Sequence, residues 1–116
     1  MPLKVYYIDD EVGLCQNFED YFATNHIEIT TFTEPEKAIA VSKTNPPDVF
    51  FVDFRLPNIT GDKVAASLPG GIPKYLITGD INVKSEFKFN AMFFKPYQPE
   101  DIQLVLDGLL KIRLTA

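Results

Sequence analysis

Val49-Phe50-Phe51-Val52-Asp53 decides the architecture of this chain. An unbroken apolar run of this length suits a strand buried on both faces, which is the position of a central strand in a parallel sheet covered by helices. The aspartate that closes the run then stands at the carboxyl edge of that sheet. Working outward, the chain repeats the pattern. Leu3 to Ile8, Ile27 to Phe32, Lys74 to Thr78 and Ala91 to Phe94 are rich in β-branched and aromatic residues and predict further strands. Apolar residues at helical spacing lie between and after them. Leu14, Phe18, Tyr21 and Phe22 mark the first helix, and Ala38, Ile39 and Val41 the second, behind a cap at Thr33 with Pro35 in the first turn. Val64, Ala65 and Leu68 carry a short third helix from Thr60 to a stop at Pro69-Gly70-Gly71. Asp80 through Phe89 leaves room for a fourth of about two turns, and Ile102, Val105, Leu106, Leu109 and Ile112 form the last.

Strand and helix in steady alternation predict a doubly wound α/β fold: a five-stranded parallel sheet with helices on both faces, since parallel strands need crossovers. With 116 residues the chain has length for one sizeable core, and residues 1–116 are expected to form a single domain. Sixteen acidic residues against eleven basic ones leave a net charge of −5, which disfavours direct contact with nucleic acid or an anionic membrane. No apolar run approaches the ~20 residues of a membrane span, and Met1-Pro2-Leu3-Lys4 leads into a strand rather than a signal peptide. A soluble, cytoplasmic protein is the expectation. The single cysteine, Cys15, sits between Leu14 and Phe18 on a helix face, where packing explains it better than reactivity. His26 has no companion ligand in the sequence.

Ligands of open α/β sheets gather at the carboxyl ends of the strands. Asp9, Asp10 and Glu11 follow the first strand, Asp53 the third, and Thr78 and Lys95 end or follow the fourth and fifth. Singly, each has an ordinary explanation: Asp9 or Asp10 as a helix cap, Glu11 as a favourable charge at a helix start, Asp53 as a loop acid, Thr78 as a strand hydroxyl, Lys95 as a solvated cation. Together they make a different case. Carboxylates from adjacent strand ends suit Mg²⁺, which takes one or two carboxylates and keeps waters and a phosphate oxygen. A lysine and a hydroxyl facing the same point would stabilise a phosphoryl group in transfer, a reaction governed by positioning and charge.

The combination resembles a known family. Ile8-Asp9-Asp10-Glu11, Asp53-Phe54-Arg55-Leu56-Pro57-Asn58-Ile59-Thr60-Gly61, Ile77-Thr78-Gly79 and Lys95-Pro96 are similar, in order and across nearly the whole chain, to the receiver domain of two-component response regulators. The resemblance implies a flavodoxin-like strand order 2-1-3-4-5. It implies that Asp53 is the phosphoacceptor, that Asp10 binds Mg²⁺ directly, and that Asp9 does so directly or through water. Arg55 would lend its backbone carbonyl to the metal, Thr78 and Lys95 would contact phosphoryl oxygens, and the Lys95–Pro96 bond would be cis. The implied partners are a sensor histidine kinase or phosphotransfer protein and a downstream effector. The implied activity is a signalling switch with self-catalysed phosphotransfer and autodephosphorylation, not a metabolic enzyme.

Met92 stands where the family usually has a Tyr or Phe switch, and the interval from Thr78 to Lys95 is about a turn short, so an irregular fourth helix is expected. These departures motivate an alternative, a phosphorylation-independent receiver-like interaction module. A haloacid-dehalogenase-type phosphatase would need an aspartate where Arg55 stands, and a nucleotide-binding domain a glycine-rich first turn. Phe87, Phe89, Phe93, Phe94 and Tyr97 read as core more readily than as a binding patch. Leu110 and Leu114 lie off the main stripe of the last helix, either as a face for a weak homodimer or as scattered surface leucines. Arg55 and Asp80, each two residues beyond a site residue, are placed to pair across the mouth of the site.

Overall fold

The computed structural model describes residues 1–115, apart from the side chains of Leu114 and Thr115. The Leu114 half of the expected dimer face therefore lies outside the described residues. In chain order the elements are β1 (Leu3–Ile8), α1 (Val12–Phe22), β2 (Ile27–Phe32), α2 (Pro35–Thr44), β3 (Val49–Asp53), β4 (Arg55–Leu56), β5 (Ile59–Thr60), α3 (Gly61–Ser67), β6 (Lys74–Thr78), β7 (Ala91–Phe94) and α4 (Pro99–Thr115). One parallel sheet runs β2-β1-β3-β6-β7, the order 2-1-3-4-5 among the five expected strands. The chain leaves β1 for β2 on one side and returns to β3 on the other. That reversal sets the carboxyl ends of β1 and β3 side by side, with Ile8 opposite Val52, so the residues that follow, Asp9 and Asp53, meet at the crevice.

Alternation along the strands sorts the core into two layers. Leu3, Val5 and Tyr7 of β1 and Val49 and Phe51 of β3 pack with Cys15, Phe18 and Phe22 of α1 and with Ile102 and Leu106 of α4. Tyr6, Ile8, Phe50 and Val52 face the other way, against Ala38 of α2 and Val64 of α3. Every residue of β3 is buried, as its continuous apolar run predicts. Its four apolar side chains, Val49 to Val52, each contribute roughly 1.5–3 kcal/mol by leaving water. Cys15 is buried, and burial pushes its thiol up to about 11, so it packs as expected.

Three local expectations are corrected. Residues 80–89 form no helix; Asp80 accepts from the Asn82 N–H, Ser85 Oγ both accepts from the Phe87 N–H and donates to its carbonyl, and Glu86 N–H donates to Asp62. Side chains thus take up backbone groups that a short helix would have to pair along its axis, and a two-turn helix is a poor competitor. The N-cap of α2 is Glu34 rather than Thr33, with Pro35 opening the helix. The N-cap of α1 is Glu11, so neither Asp9 nor Asp10 caps it. Ile112 lies in α4 as expected, and its side chain is 64% exposed.

Phe89, Phe93 and Tyr97 pack against the two core layers, in line with their core reading, whereas Phe94 and Met92 on the outer strand β7 are exposed. Leu110 packs against the layer under α1 and α4. No helix among the described residues is long and apolar enough to cross a membrane.

Candidate functional site

Asp9 and Asp53 are carried to the carboxyl edge by the most deeply buried strands, β1 and β3. Asp10 follows in the loop to α1 and is exposed. Oxygens of Asp9, Asp10 and Asp53 lie within 4.8 Å of one another. Lys95, after β7, reaches across the edge and places its ammonium 3.2 Å from Asp9 Oδ2 and 3.2 Å from Asp53 Oδ1. The Lys95–Pro96 peptide is cis, as the resemblance implies, and Lys95 N–H donates to the Thr78 carbonyl at 2.8 Å.

The charges do not balance: three carboxylates face one lysine. Burial, and then the neighbouring Asp9 charge, raise the Asp53 carboxyl to about 6 despite the opposing pull of Lys95. For Lys95, burial works against the charged form, but Asp9 and Asp53 more than offset it and leave its affinity for the proton raised. A cluster of oxygen donors with uncompensated negative charge and one water-facing member fits a hard divalent cation such as Mg²⁺.

Asp10, Glu11, Asp53, Arg55, Gly79, Asp80 and Lys95 line an open cavity of about 350 Å³ above this cluster. Arg55 and Asp80 pair across it, as their positions predict, through a guanidinium–carboxylate contact that also lowers the Asp80 carboxyl. Thr78 is fully buried behind the rim, and its hydroxyl oxygen accepts from the Asp80 N–H at 3.0 Å, which leaves its own proton free to donate. The structure thus gathers Asp9, Asp10, Asp53, Arg55 and Lys95 at one point, with Thr78 at its edge.

Two supports explain how Asp53 is aimed. After β3 the chain turns through the antiparallel pair β4–β5, with Pro57 and Asn58 at the turn and Asn58 at φ 65°. Proline then asparagine suits a turn that needs a positive φ at its second central residue. Gly61 then packs directly on the backbone of β3: a Cβ there would overlap the Asp53 carbonyl. The glycine eight residues after Asp53 is therefore a packing requirement of the acceptor strand itself. One participant gave no sequence signal of its own. Tyr7 reads as a core strand residue, yet its hydroxyl donates to Asp9 Oδ2 at 2.7 Å. Only its position two residues before Asp9, on the same face of the strand, hints at this.

Doubly wound parallel sheets with an acidic crevice at the switch point between the central strands form a recognisable class, and here the class is specific. The sequence matches the response regulator receiver domain family over residues 5–107, and the chain belongs to that family. A curated relative, the "Probable transcriptional regulatory protein TcrX" of Mycobacterium tuberculosis, is 28% identical over 95% of this chain, which spans 50% of that protein's length. Among solved structures, the signal receiver domain of an HD domain-containing protein from Pseudomonas fluorescens superposes with a TM-score of 0.86 at 15% identity, covering 100% of both chains. The chemotaxis response regulator CheY4 of Vibrio cholerae does so at 0.80 and 18% identity, over 94% of this chain and 99% of that one.

Proposed function

We propose that this domain is a phosphorylation switch in which Asp53 accepts a phosphoryl group from a histidine kinase or phosphotransfer protein, with Mg²⁺ bound at the acidic cluster. The observation that carries this reading is the Lys95 ammonium midway between Asp9 and Asp53, over carboxylate oxygens within 4.8 Å of each other. Asp10, Asp53 and the Arg55 backbone carbonyl would hold the metal, with Asp9 behind them, and the metal would supply positive charge to the phosphoryl oxygens.

The residues divide the work. An ionised Asp53 oxygen attacks phosphorus, the P–O bond forms as the P–N bond to the donor imidazole breaks, and the electron pair leaves with the imidazole. A bound dication and Lys95 would offset the burial and the Asp9 charge that raise the Asp53 carboxyl, and so favour the ionised form that attacks. Lys95 moves from carboxylates to a phosphoryl oxygen, and Thr78 donates its hydroxyl proton to another. Charge stabilisation of this kind dominates phosphoryl transfer. The net charge of −5 argues against direct contact between this domain and DNA.

Intact-mass spectrometry after incubation with acetyl phosphate tests the proposal: one phosphoryl adduct is expected with Mg²⁺ and none with chelator. Lys95→Ala should weaken labelling while circular dichroism stays unchanged. The irregular 80–89 segment and exposed Met92 favour a second reading, an interaction module that works without phosphate. That reading predicts no adduct under either condition.

A further inference from the structure

Asp9 has no exposed surface, and both of its oxygens are engaged. Oδ1 accepts from the Glu11 N–H at 3.0 Å, while Oδ2 accepts from the Tyr7 hydroxyl at 2.7 Å and from Lys95 at 3.2 Å. The tyrosine is not free to look elsewhere. Its ring is 1% exposed and stacks on Phe18 of α1, with centroids 4.2 Å apart and planes 8° from parallel. The phenol keeps its proton in this contact, because the Asp9 oxygen it faces can only accept. Strand geometry accounts for the contact, since residues two apart on one strand share a face.

We infer that Tyr7 is a positioning residue of the site, whose hydroxyl holds Asp9 Oδ2 beside Lys95 and so competes with a divalent cation for that carboxylate. The inference rests on the Mg²⁺-dependent reading given above. An oxygen that already accepts one neutral and one charged hydrogen bond has little lone-pair capacity left, and a metal drawing on it must displace a donor. Asp10, exposed, and Asp53, poorly compensated, are then the carboxylates offered first. Tyr7 also lowers the penalty when Lys95 turns to a phosphoryl oxygen, because the buried Asp9 keeps a donor on Oδ2 after the lysine leaves. Losing the hydroxyl would leave a buried carboxylate short of a partner, and a dication is the replacement at hand. The consequence runs against intuition: deleting a polar contact should tighten metal binding.

Calorimetric titration of Mg²⁺ into the full chain tests this with Tyr7→Phe, which keeps the ring and its stack on Phe18. The expected result is about three- to tenfold tighter binding, the scale of the net contribution of one ordinary hydrogen bond. Tyr6→Phe is the control. It removes a buried tyrosine hydroxyl bonded at 2.5 Å to the Asn45 carbonyl, just before β3 and away from the site, and should leave Mg²⁺ affinity unchanged. Equal or weaker binding by Tyr7→Phe, or an equal gain in Tyr6→Phe, overturns the inference while the phosphoacceptor reading stands. A wild-type chain that binds no Mg²⁺ overturns both. A readout without substitution is the Cζ carbon resonance of Tyr7: it should move as Mg²⁺ saturates the wild-type protein, and a resonance that stays fixed through saturation overturns the inference whether or not Tyr7→Phe folds.

Discussion

Between β1 and β3 the carboxyl edge of the sheet rests on side chains buried on both faces, whereas beyond β6 the chain runs through residues 79–90 with hardly any regular structure. Asp9 and Asp53 are fixed by strand register and by the backbone contact of Gly61. Residues 80–87 are fixed by side chains that bond to nearby backbone, Asp80 to Asn82, Ser85 to Phe87 and Asp62 to Glu86. The first construction suits groups that must hold their geometry while charge moves. The second rests on a few side-chain hydrogen bonds near the surface, the kind of construction that opens locally before a packed core does.

Gly61→Ala should produce the largest effect. A methyl group on the Asp53 carbonyl has no space, and because the obstacle is backbone the cost should be about 2–4 kcal/mol by urea denaturation. A loss below half a kilocalorie would mean that the β3 edge yields as readily as the loop. Asp53→Asn should act in the opposite direction. The folded domain raises this carboxyl from its ordinary 3.8 to about 6, so between those values the folded state binds more protons and stability falls as pH rises. In Mg²⁺-free buffer at pH 7.5 the asparagine variant should be more stable by about 1–3 kcal/mol. The advantage should shrink as pH drops through 6 towards 4, and a constant advantage would remove titration as its cause.

Ser85→Ala, on the loop side, should cost only about 1 kcal/mol, the usual value of a hydrogen bond, and leave Mg²⁺ affinity alone. Replacing both Arg55 and Asp80 by alanine should barely move the melting temperature, because Arg55 is largely exposed and Asp80 only partly covered at the rim. Its effect belongs to rate, since a tenfold change needs only ~1.4 kcal/mol of barrier. Loss of phosphate from Asp53 should speed up several-fold as water gains access, and an unchanged or slower rate would show that the pair does not gate the site.

The same contrast decided what the sequence made legible. The inner strands, and with them the edge positions of Asp9, Asp10 and Asp53, followed from apolar runs buried on two faces, a composition that few other structures share. The partly buried outer strands β2 and β7, and with β7 the position of Lys95, were legible from their β-branched and aromatic residues. The two-residue strands β4 and β5 were invisible, being set by Pro57 and Asn58 and not by any apolar period. The missing helix at 80–89 was misread for a related reason. Its length suggested a helix, but Asp80 and Ser85 had closer partners for the backbone than the helix could offer. Tyr7 was hidden by its apolar body: pattern reading assigns it to the core correctly and overlooks the hydroxyl at its end.

The central claim is that Asp53 is the residue that carries the phosphoryl group. Peptide-level mass spectrometry of the protein treated with acetyl phosphate and Mg²⁺ tests it most directly. A single phosphoryl group should map to Asp53 in the peptide containing Val49 to Leu56, and it should be absent from Asp53→Asn and from the chelated sample. A label on another residue, or one that persists in Asp53→Asn, would contradict the account.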